Sequence, residues 1–181
     1  MHTPRLLLRR WREADLRPFA ALNADPTVMA HYTAPLTPAR SDHLVDRIES
    51  AFTRDGFGLW AVEVTATGQF IGLTGLAEVT FAAHFVPAVE VGWRLARQAW
   101  GNGYATEAAR AALEYGFEVV GLDEIVSFTS VPNRRSQAVM RRLGMTHDPA
   151  DDFDHPHLPA GHRLRRHLLY RITAARHGGP R

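Results

Sequence analysis

The chain has 181 residues, of which 45% are hydrophobic and 22% charged, as is typical of one globular domain, and no apolar run is long enough to span a membrane. It contains no cysteine, so disulfides, thiolate metal sites and a cysteine nucleophile are excluded, and a cytoplasmic location is expected. The basic residues are all arginine, and the formal net charge of +2 is too small to indicate a nucleic-acid-binding protein.

In the first half of the chain, the hydrophobic pattern predicts a strand, two helices and a strand hairpin. The first strand centres on three consecutive leucines, and an Asp-Pro pair breaks the helix that follows it. The second helix has threonine at its N-cap and proline at its first helical position. A short turn containing glycine joins the two strands of the hairpin. In chain order, these elements are predicted at 5–11, 13–23, 37–52, 59–64 and 70–79.

In the second half of the chain, strands alternate with helices. The first of these helices is rich in alanine, whose small side chain allows close packing on a sheet, and Gly144 ends the second. The predicted elements are 89–95, 103–120, 125–131, 133–143 and 167–173. The segment 148–161, rich in Asp, His and Pro, is predicted to be a loop, and 178–181 is predicted to fray.

The order of elements is β-α-α-β-β-β-α-β-α-β, with alternation only in the second half. This order predicts an α+β domain with α/β-like character, built on a mixed sheet with flanking helices. The sequence shows neither an internal repeat nor a linker. Residues 1–181 are therefore predicted to form a single domain with its core at about 5–174.

The joint between the strand at 89–95 and the helix at 103–120 is the most informative feature. Gly101 and Gly103 leave backbone N–H groups bare at a helix N-terminus, where the helix dipole also favours a phosphate. A dinucleotide-binding loop would have a third glycine where Thr106 stands, and a P-loop would have Gly-Lys-Ser/Thr. The loop predicts a phosphate-bearing cofactor but does not identify it.

Three blocks in the right order and spacing identify that cofactor by resemblance. They are Glu90-Val91-Gly92-Trp93-Arg94-Leu95, then Gln98-x-x-Gly101-x-Gly103-Tyr104-Ala105-Thr106-Glu107-Ala108, then Asn133-x-x-Ser136-x-x-Val139-x-x-x-Leu143-Gly144-Met145. With the opening strand, they resemble the GNAT acetyltransferase superfamily, and within it the ribosomal-protein-alanine N-acetyltransferases and their small relatives. Two departures are Gln98, where many members have Arg, and Met145, where Phe is common.

The resemblance implies acetyl-CoA as cosubstrate, no metal, and a mostly antiparallel sheet splayed around the acetyl-CoA site. The loop would hold the pyrophosphate through backbone N–H groups, and the strand before it would pair with the pantetheine arm. The implied cofactor-binding residues are Gly92, Trp93, Arg94, Leu95, Gln98, Ala99, Trp100, Gly101, Asn102, Gly103, Tyr104, Ala105, Asn133 and Ser136. Candidates for the CoA phosphates are Arg94, Arg97, Arg134 and Arg135.

Two catalytic residues are proposed by the same resemblance. Glu90 is the candidate general base, because strand alternation places it on the face of Gly92; the alternative is a structural carboxylate paired with an arginine. Ser136 is the candidate acid for the leaving thiolate; the alternative is a side chain that only hydrogen-bonds CoA or caps the helix. Glu63 and Glu78 are weaker candidates for the base.

The acceptor side is expected to come from 29–35, Trp60, 73–85 and 148–162. Trp60 and Phe81 could line an apolar pocket, although aromatic residues on strands are more often core. The acidic residues of the last segment could attract a cationic acceptor or only solubilise the loop. His155, His157 and His162 fit no familiar zinc spacing, so a solvent-exposed loop is predicted there.

These features predict an N-acetyltransferase that transfers acetyl from acetyl-CoA to a primary amine by direct attack in a ternary complex. The acceptor is either a small amine or a protein N-terminus. The alternative is a non-catalytic sensor of acetyl-CoA or CoA on the same fold. No nucleic-acid or membrane partner is expected, and a homodimer is left open.

Overall fold

A computed structural model describes residues 1–177, so the predicted frayed end at 178–181 lies outside it. The strands are β1 (Leu6–Arg9), β2 (Leu59–Val64), β3 (Gln69–Glu78), β4 (Val89–Leu95), β5 (Glu124–Ser130), β6 (Thr146–His147), β7 (Phe153–Asp154) and β8 (Arg166–Thr173). The helices are α1 (Glu13–Ala24), α2 (Pro38–Asp55), α3 (Tyr104–Tyr115), α4 (Arg134–Arg142) and α5 (Ala174–His177). The strands form one mixed sheet in the order β1-β2-β3-β4-β5-β8-β6, with β7 also paired to β8.

The sheet is antiparallel at every described pairing except that of β4 with β5, which confirms the predicted mixed, mostly antiparallel sheet. Along its other edge, β4 pairs with β3 over its full length, from Val89 to Leu95. With β5 it shares a single registered pair, Glu90 with Val126. The Ser127 hydroxyl then donates to the Val91 carbonyl at 2.9 Å. Beyond this point the ladder stops, so the β5-facing edge of β4 is open.

The ends of the longer helices follow local rules. Thr37 Oγ1 accepts from the Arg40 N–H at 3.3 Å at the start of α2, and Gly56 ends it at φ 78°. α3 begins after Gly103, also left-handed at φ 80°, and one π-helical turn, Gly116–Val120, prolongs it. These boundaries confirm the predicted helices to within a few residues.

Five short pieces of structure were not predicted, among them a 3₁₀ turn at Arg97–Ala99. The segment expected to be a loop contains a 3₁₀ turn, Pro149–Asp151, and the two-residue strand β7. β6 and α5 were also missed, since elements of two to four residues carry no readable hydrophobic period. The first strand is shorter than predicted because Arg10 turns to an ion pair with Glu49 of α2.

The core lies between the sheet and helices α1 to α4, and α3 contributes its alanine-rich face. Ala108, Ala109, Ala112 and Leu113 are fully buried, as the alanine-rich pattern predicts. At Gly116 a Cβ atom would come within 2.6 Å of Ile125 Cδ1, so any larger residue would require the Ile125 side chain to shift. No helix within residues 1–177 is both long enough and apolar enough to cross a membrane.

Candidate active site

A cleft of about 470 Å³ lies where β4 and β5 separate. Its lining brings together six residues predicted from the sequence: Glu90, Gly92, Trp93, Arg94, Asn133 and Ser136. Two distant segments complete the lining, one between α1 and α2 and the other between β7 and β8. The cleft therefore joins the predicted catalytic residues to the predicted acceptor side.

Glu90 lies in the cleft without a partner. Within residues 1–177, its carboxylate has neither a hydrogen bond nor an ion pair, so the structural arginine pair considered above is absent. Loss of solvation raises the pKa of Glu90 from its ordinary 4.5 to about 7. A carboxyl group with this pKa exchanges a proton readily near neutral pH.

The two weaker candidates for the base are wrong. Glu63 accepts from Arg9 Nε at 2.8 Å and from Arg12 Nη1 at 3.3 Å, so its carboxylate is committed to an ion-pair network. Glu78 lies at the end of β3, 3.8 Å from Arg54. Neither residue lines the cleft, because β2 and β3 carry them to other surfaces.

Asn133 and Ser136 are joined at the start of α4. The Asn133 Nδ2 group donates to Thr129 Oγ1 at 2.8 Å and to Ser136 Oγ at 3.0 Å, while Asn133 Oδ1 accepts from the Ser136 N–H at 3.3 Å. Asn133, not Ser136, is therefore the helix cap. Because the Ser136 oxygen accepts from Asn133, its hydroxyl proton is left free to be donated.

The phosphate loop connects β4 to α3. Gly101 and Gly103 both have φ of 80°, a conformation that favours glycine. The first α3 hydrogen bond runs from Glu107 N–H to the Gly103 carbonyl at 3.1 Å, so the three N–H groups of 104–106 have no helical partner. They form a helix terminus of the kind at which the two glycines predict anion binding.

A clamp from the chain's first residues holds this loop. Arg5 Nη1 donates to the Asn102 carbonyl at 3.0 Å, and Arg5 Nε donates to Glu107 at 2.7 Å. Thr3 Oγ1 donates to the same carboxylate at 2.6 Å. These bonds hold the pKa of Glu107 below its usual range. The positive charge of Arg5 balances this carboxylate, which is the acidic group nearest the helix N-terminus. The sequence did not reveal this clamp, because its parts lie about 100 residues apart.

The four arginines proposed for the CoA phosphates have different surroundings. Arg135 lies over the ring of Trp100 in the phosphate loop, 4.4 Å from its centroid, and Arg97 is exposed on the same loop. Arg134 donates to Gln137 at 3.1 Å. Arg94 instead lines the cleft, where its Nη1 donates to Asn23 at 2.6 Å. Arg135 is thus the one of the four whose guanidinium contacts a residue of the loop.

Asn23 was missed by the sequence analysis. It is fully buried, accepts from Arg94, and donates to Ser41 Oγ of α2 at 2.9 Å. The Arg94 guanidinium also lies over Tyr32, 4.2 Å from the ring centroid. Asn23 thus ties α1 and α2 to β4 and fixes one wall of the cleft. A single amide in an amphipathic helix carries no local signal of this role.

The histidine-rich segment is not simply a solvent-exposed loop. His155 is half-buried and lines the cleft together with His157 and with His167 of β8. Burial, reinforced by the two neighbouring imidazoles, lowers the pKa of His155 to about 4. In the part of the chain that the structure describes, no group of three or more His, Cys, Asp or Glu side chains could hold a metal ion.

The two aromatic residues proposed for an apolar pocket lie outside the lining. Trp60 is buried in the core, edge-on to Phe52 at 5.3 Å and to Tyr115 at 5.1 Å. Phe81 belongs to an aromatic cluster behind the cleft and contacts His155 at a ring distance of 4.6 Å. Trp60 is therefore a core residue, the alternative expected for an aromatic residue on a strand, and not part of the acceptor side, whereas Phe81 supports a residue that lines the cleft.

Comparison with known proteins agrees with this geometry. The model of the acetyltransferase (GNAT) domain family matches residues 5–146. The chain therefore belongs to the GNAT acetyltransferases, which use acetyl-CoA, and is an N-acetyltransferase.

Relatives and solved structures support this assignment. The chain is 33% identical over 144 residues to the uncharacterized protein YkkB of Bacillus subtilis, covering 79% of this chain and 83% of that protein. It is 33% identical to the FsC-acetyl coenzyme A-N(2)-transacetylase of Aspergillus fumigatus, covering 81% of this chain but only 65% of that longer protein. An acetyltransferase structure from Agrobacterium tumefaciens superposes with a TM-score of 0.77 at 29% identity, covering 95% and 92% of the two chains. A spermidine N-acetyltransferase from Vibrio cholerae, in complex with CoA and spermine, shares the fold with a TM-score of 0.76 at 20% identity, covering 97% and 99%.

Proposed function

We propose that this enzyme transfers acetyl from acetyl-CoA to a primary amine by direct attack in a ternary complex, with Glu90 as general base and Ser136 as general acid. The observation that carries the proposal is the unpaired Glu90 carboxylate in the cleft, with its pKa raised to about 7. It lies where the open edge of β4 meets the predicted acceptor side.

Three features support acetyl-CoA binding in this place. The open edge of β4 at 92–95 offers backbone groups to an extended amide-bearing arm. The left-handed glycines and free N–H groups after it suit a pyrophosphate. Arg97 and Arg135 add positive charge beside the loop. We therefore expect acetyl-CoA to extend from this loop along β4 towards Glu90 and Ser136.

The acceptor must lose a proton before it can attack. An alkylamine with a pKa of about 10.4 is neutral in only about one molecule in 2,500 at pH 7, equivalent to roughly 4.6 kcal/mol. Glu90 can take this proton, directly or through water, because its own pKa lies near neutral pH. The Trp93 backbone N–H is the proposed donor to the developing oxyanion.

The leaving thiolate needs a proton less urgently. A thiol of pKa about 8.5 is a good leaving group near neutral pH, so general acid assistance contributes modestly. The Ser136 hydroxyl is suited to this role, since Asn133 already occupies its oxygen as a donor and leaves its proton directed elsewhere. We therefore expect Ser136 to assist the reaction without being indispensable.

The proposal also includes the extent of the domain, the branch of the family, the cellular location and the oligomeric state. One domain with its core at about 5–174 is supported by a single sheet and by a core cluster that extends from Leu6 to Ile172. Membership of the ribosomal-protein-alanine acetyltransferase-like branch stays a prediction from the sequence motifs, and the acceptor stays either a small amine or a protein N-terminus. A cytoplasmic location and a homodimer also stay predictions.

A coupled assay decides between catalysis and sensing. CoA release is followed across a panel of small amines and N-terminal peptides, and acetyl-CoA binding is measured by calorimetry. We expect turnover with at least one amine, lost in Glu90→Gln with acetyl-CoA affinity retained. Glu78→Gln is the matched control, because its carboxylate is exposed outside the cleft. Tight acetyl-CoA binding without turnover of any amine would instead indicate a sensor.

A further inference from the structure

We infer that the acceptor is a monoamine with an aromatic or other apolar body, and that polyamines are poor acceptors. The inference rests on the proposed function and concerns the acceptor end of the same cleft. It follows from the aromatic character of the cleft wall formed by Phe128, His155 and His167, and from the distribution of charge around that wall.

The wall that faces the acceptor is made of rings. Phe128, His155 and His167 line the cleft, with ring centroids 5.1 Å apart for the two histidines and 6.2 Å apart for Phe128 and His167. Behind them, Phe81 lies 4.6 Å from His155, and Phe153 lies 5.5 Å from His167. Flat rings at these separations suit an aromatic or alkyl group of the acceptor.

These imidazoles are uncharged near neutral pH. Burial and the neighbouring histidines lower the pKa of His155 to about 4, and burial also lowers that of His167. A neutral ring neither repels an ammonium group nor offers it a charge. The wall therefore selects for apolar surface and not for additional positive charge.

Among the described residues that line the cleft, Glu90 carries the only carboxylate. The nearby acidic segment, which the sequence suggested as an attractor for cations, is engaged elsewhere. Asp151 accepts from Arg171 at 2.7 Å, and Asp152 lies 2.7 Å from His147. Asp154 accepts from Arg165 at 3.1 Å, although its charge also acts on His167, and Asp148 accepts from the Ala150 N–H at 2.9 Å. A second ammonium of a polyamine would thus lose water without gaining a carboxylate.

The side of the cleft formed by residues 31–33 and Arg94 is positively charged. Arg94 lies in its wall, and Arg163 donates to the Ala30 carbonyl at 2.8 Å. Arg163 and Arg135 act on His31 at this side and, after burial, contribute to its lowered pKa. An acceptor that extended a second cation towards this side would meet repulsion. Both ends of the cleft therefore disfavour a polycation.

The test compares two amines of nearly the same shape. n-Pentylamine and 1,4-diaminobutane differ only in a terminal methyl group or a terminal ammonium. For the wild-type enzyme, we expect kcat/KM for n-pentylamine to exceed that for 1,4-diaminobutane at least tenfold, and 2-phenylethylamine to be better than either. Spermidine is expected to behave like the diamine.

A variant then adds a negative charge to the wall. His157 lines the cleft but is exposed, so His157→Glu places a carboxylate there with little risk to folding, which the melting temperature checks. We expect it to lower the pentylamine-to-diamine ratio at least fivefold, while the neutral control His157→Gln keeps the ratio within twofold. Wild-type enzyme that acetylates the diamine as fast as n-pentylamine would overturn the inference and leave the proposed function intact. Absence of turnover with every amine would overturn both.

Discussion

Replacing Glu90 with glutamine should abolish most activity and yet stabilise the protein, in a pH-dependent way. The carboxyl pKa rises from 4.5 to about 7 because the ionised form loses solvation in the cleft. This difference corresponds to about 3 kcal/mol of destabilisation of the ionised form, and partial contact with solvent reduces the expected value to about 2 kcal/mol. Glutamine has nearly the same shape and carries no charge.

The sign of the pH dependence follows from linkage. Below about pH 4.5, Glu90 is protonated in both the folded and the unfolded chain, so its burial costs little folding free energy. Above pH 7 it is ionised in both states, and the folded state bears the whole cost. The stabilisation by Glu90→Gln should therefore be absent near pH 4.5, grow towards pH 7 and be complete at pH 8.

Thermal unfolding and steady-state kinetics measure the two effects. At pH 8, a gain of about 2 kcal/mol corresponds to a rise in Tm of about 4–8 °C for a chain of this size. Loss of the general base should lower kcat by about 10²–10⁴-fold. For the wild-type enzyme, kcat/KM should decrease as the pH is lowered through an apparent pKa near 7. A Tm difference that is equal at pH 5 and pH 8, or a variant that keeps its activity, would refute the reasoning.

Three further variants address the donor side of the cleft. Arg5→Ala should raise the KM for acetyl-CoA about three- to tenfold with kcat little changed, because it removes the clamp on the phosphate loop. Gly103→Ala should weaken acetyl-CoA binding about tenfold in calorimetry, because φ of 80° is strained for alanine, whereas Gly68→Ala, in a turn at φ 68°, should leave binding unchanged. Ser136→Ala should lower kcat about tenfold near pH 7, with the deficit shrinking towards pH 9 as the thiol needs no acid; a deficit independent of pH would contradict this role.

The donor half of the site could be predicted from sequence because it is contiguous. Strand β4, the phosphate loop and α3 follow one another along residues 89–115, and each feature obeys a local rule. Gly101 and Gly103 take the left-handed conformation that only glycine adopts easily, and the free N–H groups follow from the start of the helix. Such relationships do not depend on how the rest of the chain folds.

The acceptor half could not be predicted because it is assembled from distant segments. His155 and His167 meet only because β7 and β8 pair, and β7 has two residues, too few to carry a period. Asn23 becomes important only when α1 packs beside Arg94 of β4. The two alternatives left open for Trp60 have the same origin, since a strand pattern shows that one face is buried but not which neighbour buries it.

One physical cause explains why Glu90 and the histidines of the cleft differ in their proposed functions. Loss of solvation disfavours any charged form, so it raises the pKa of a carboxyl group and lowers that of an imidazole. In this cleft, the carboxyl pKa becomes about 7 and the pKa of His155 becomes about 4, the reverse of their usual order. With these pKa values Glu90 is about a thousandfold the stronger base, so in the proposed mechanism a proton leaving the amine would go to the carboxylate, and the neutral imidazole would serve as a surface for the acceptor.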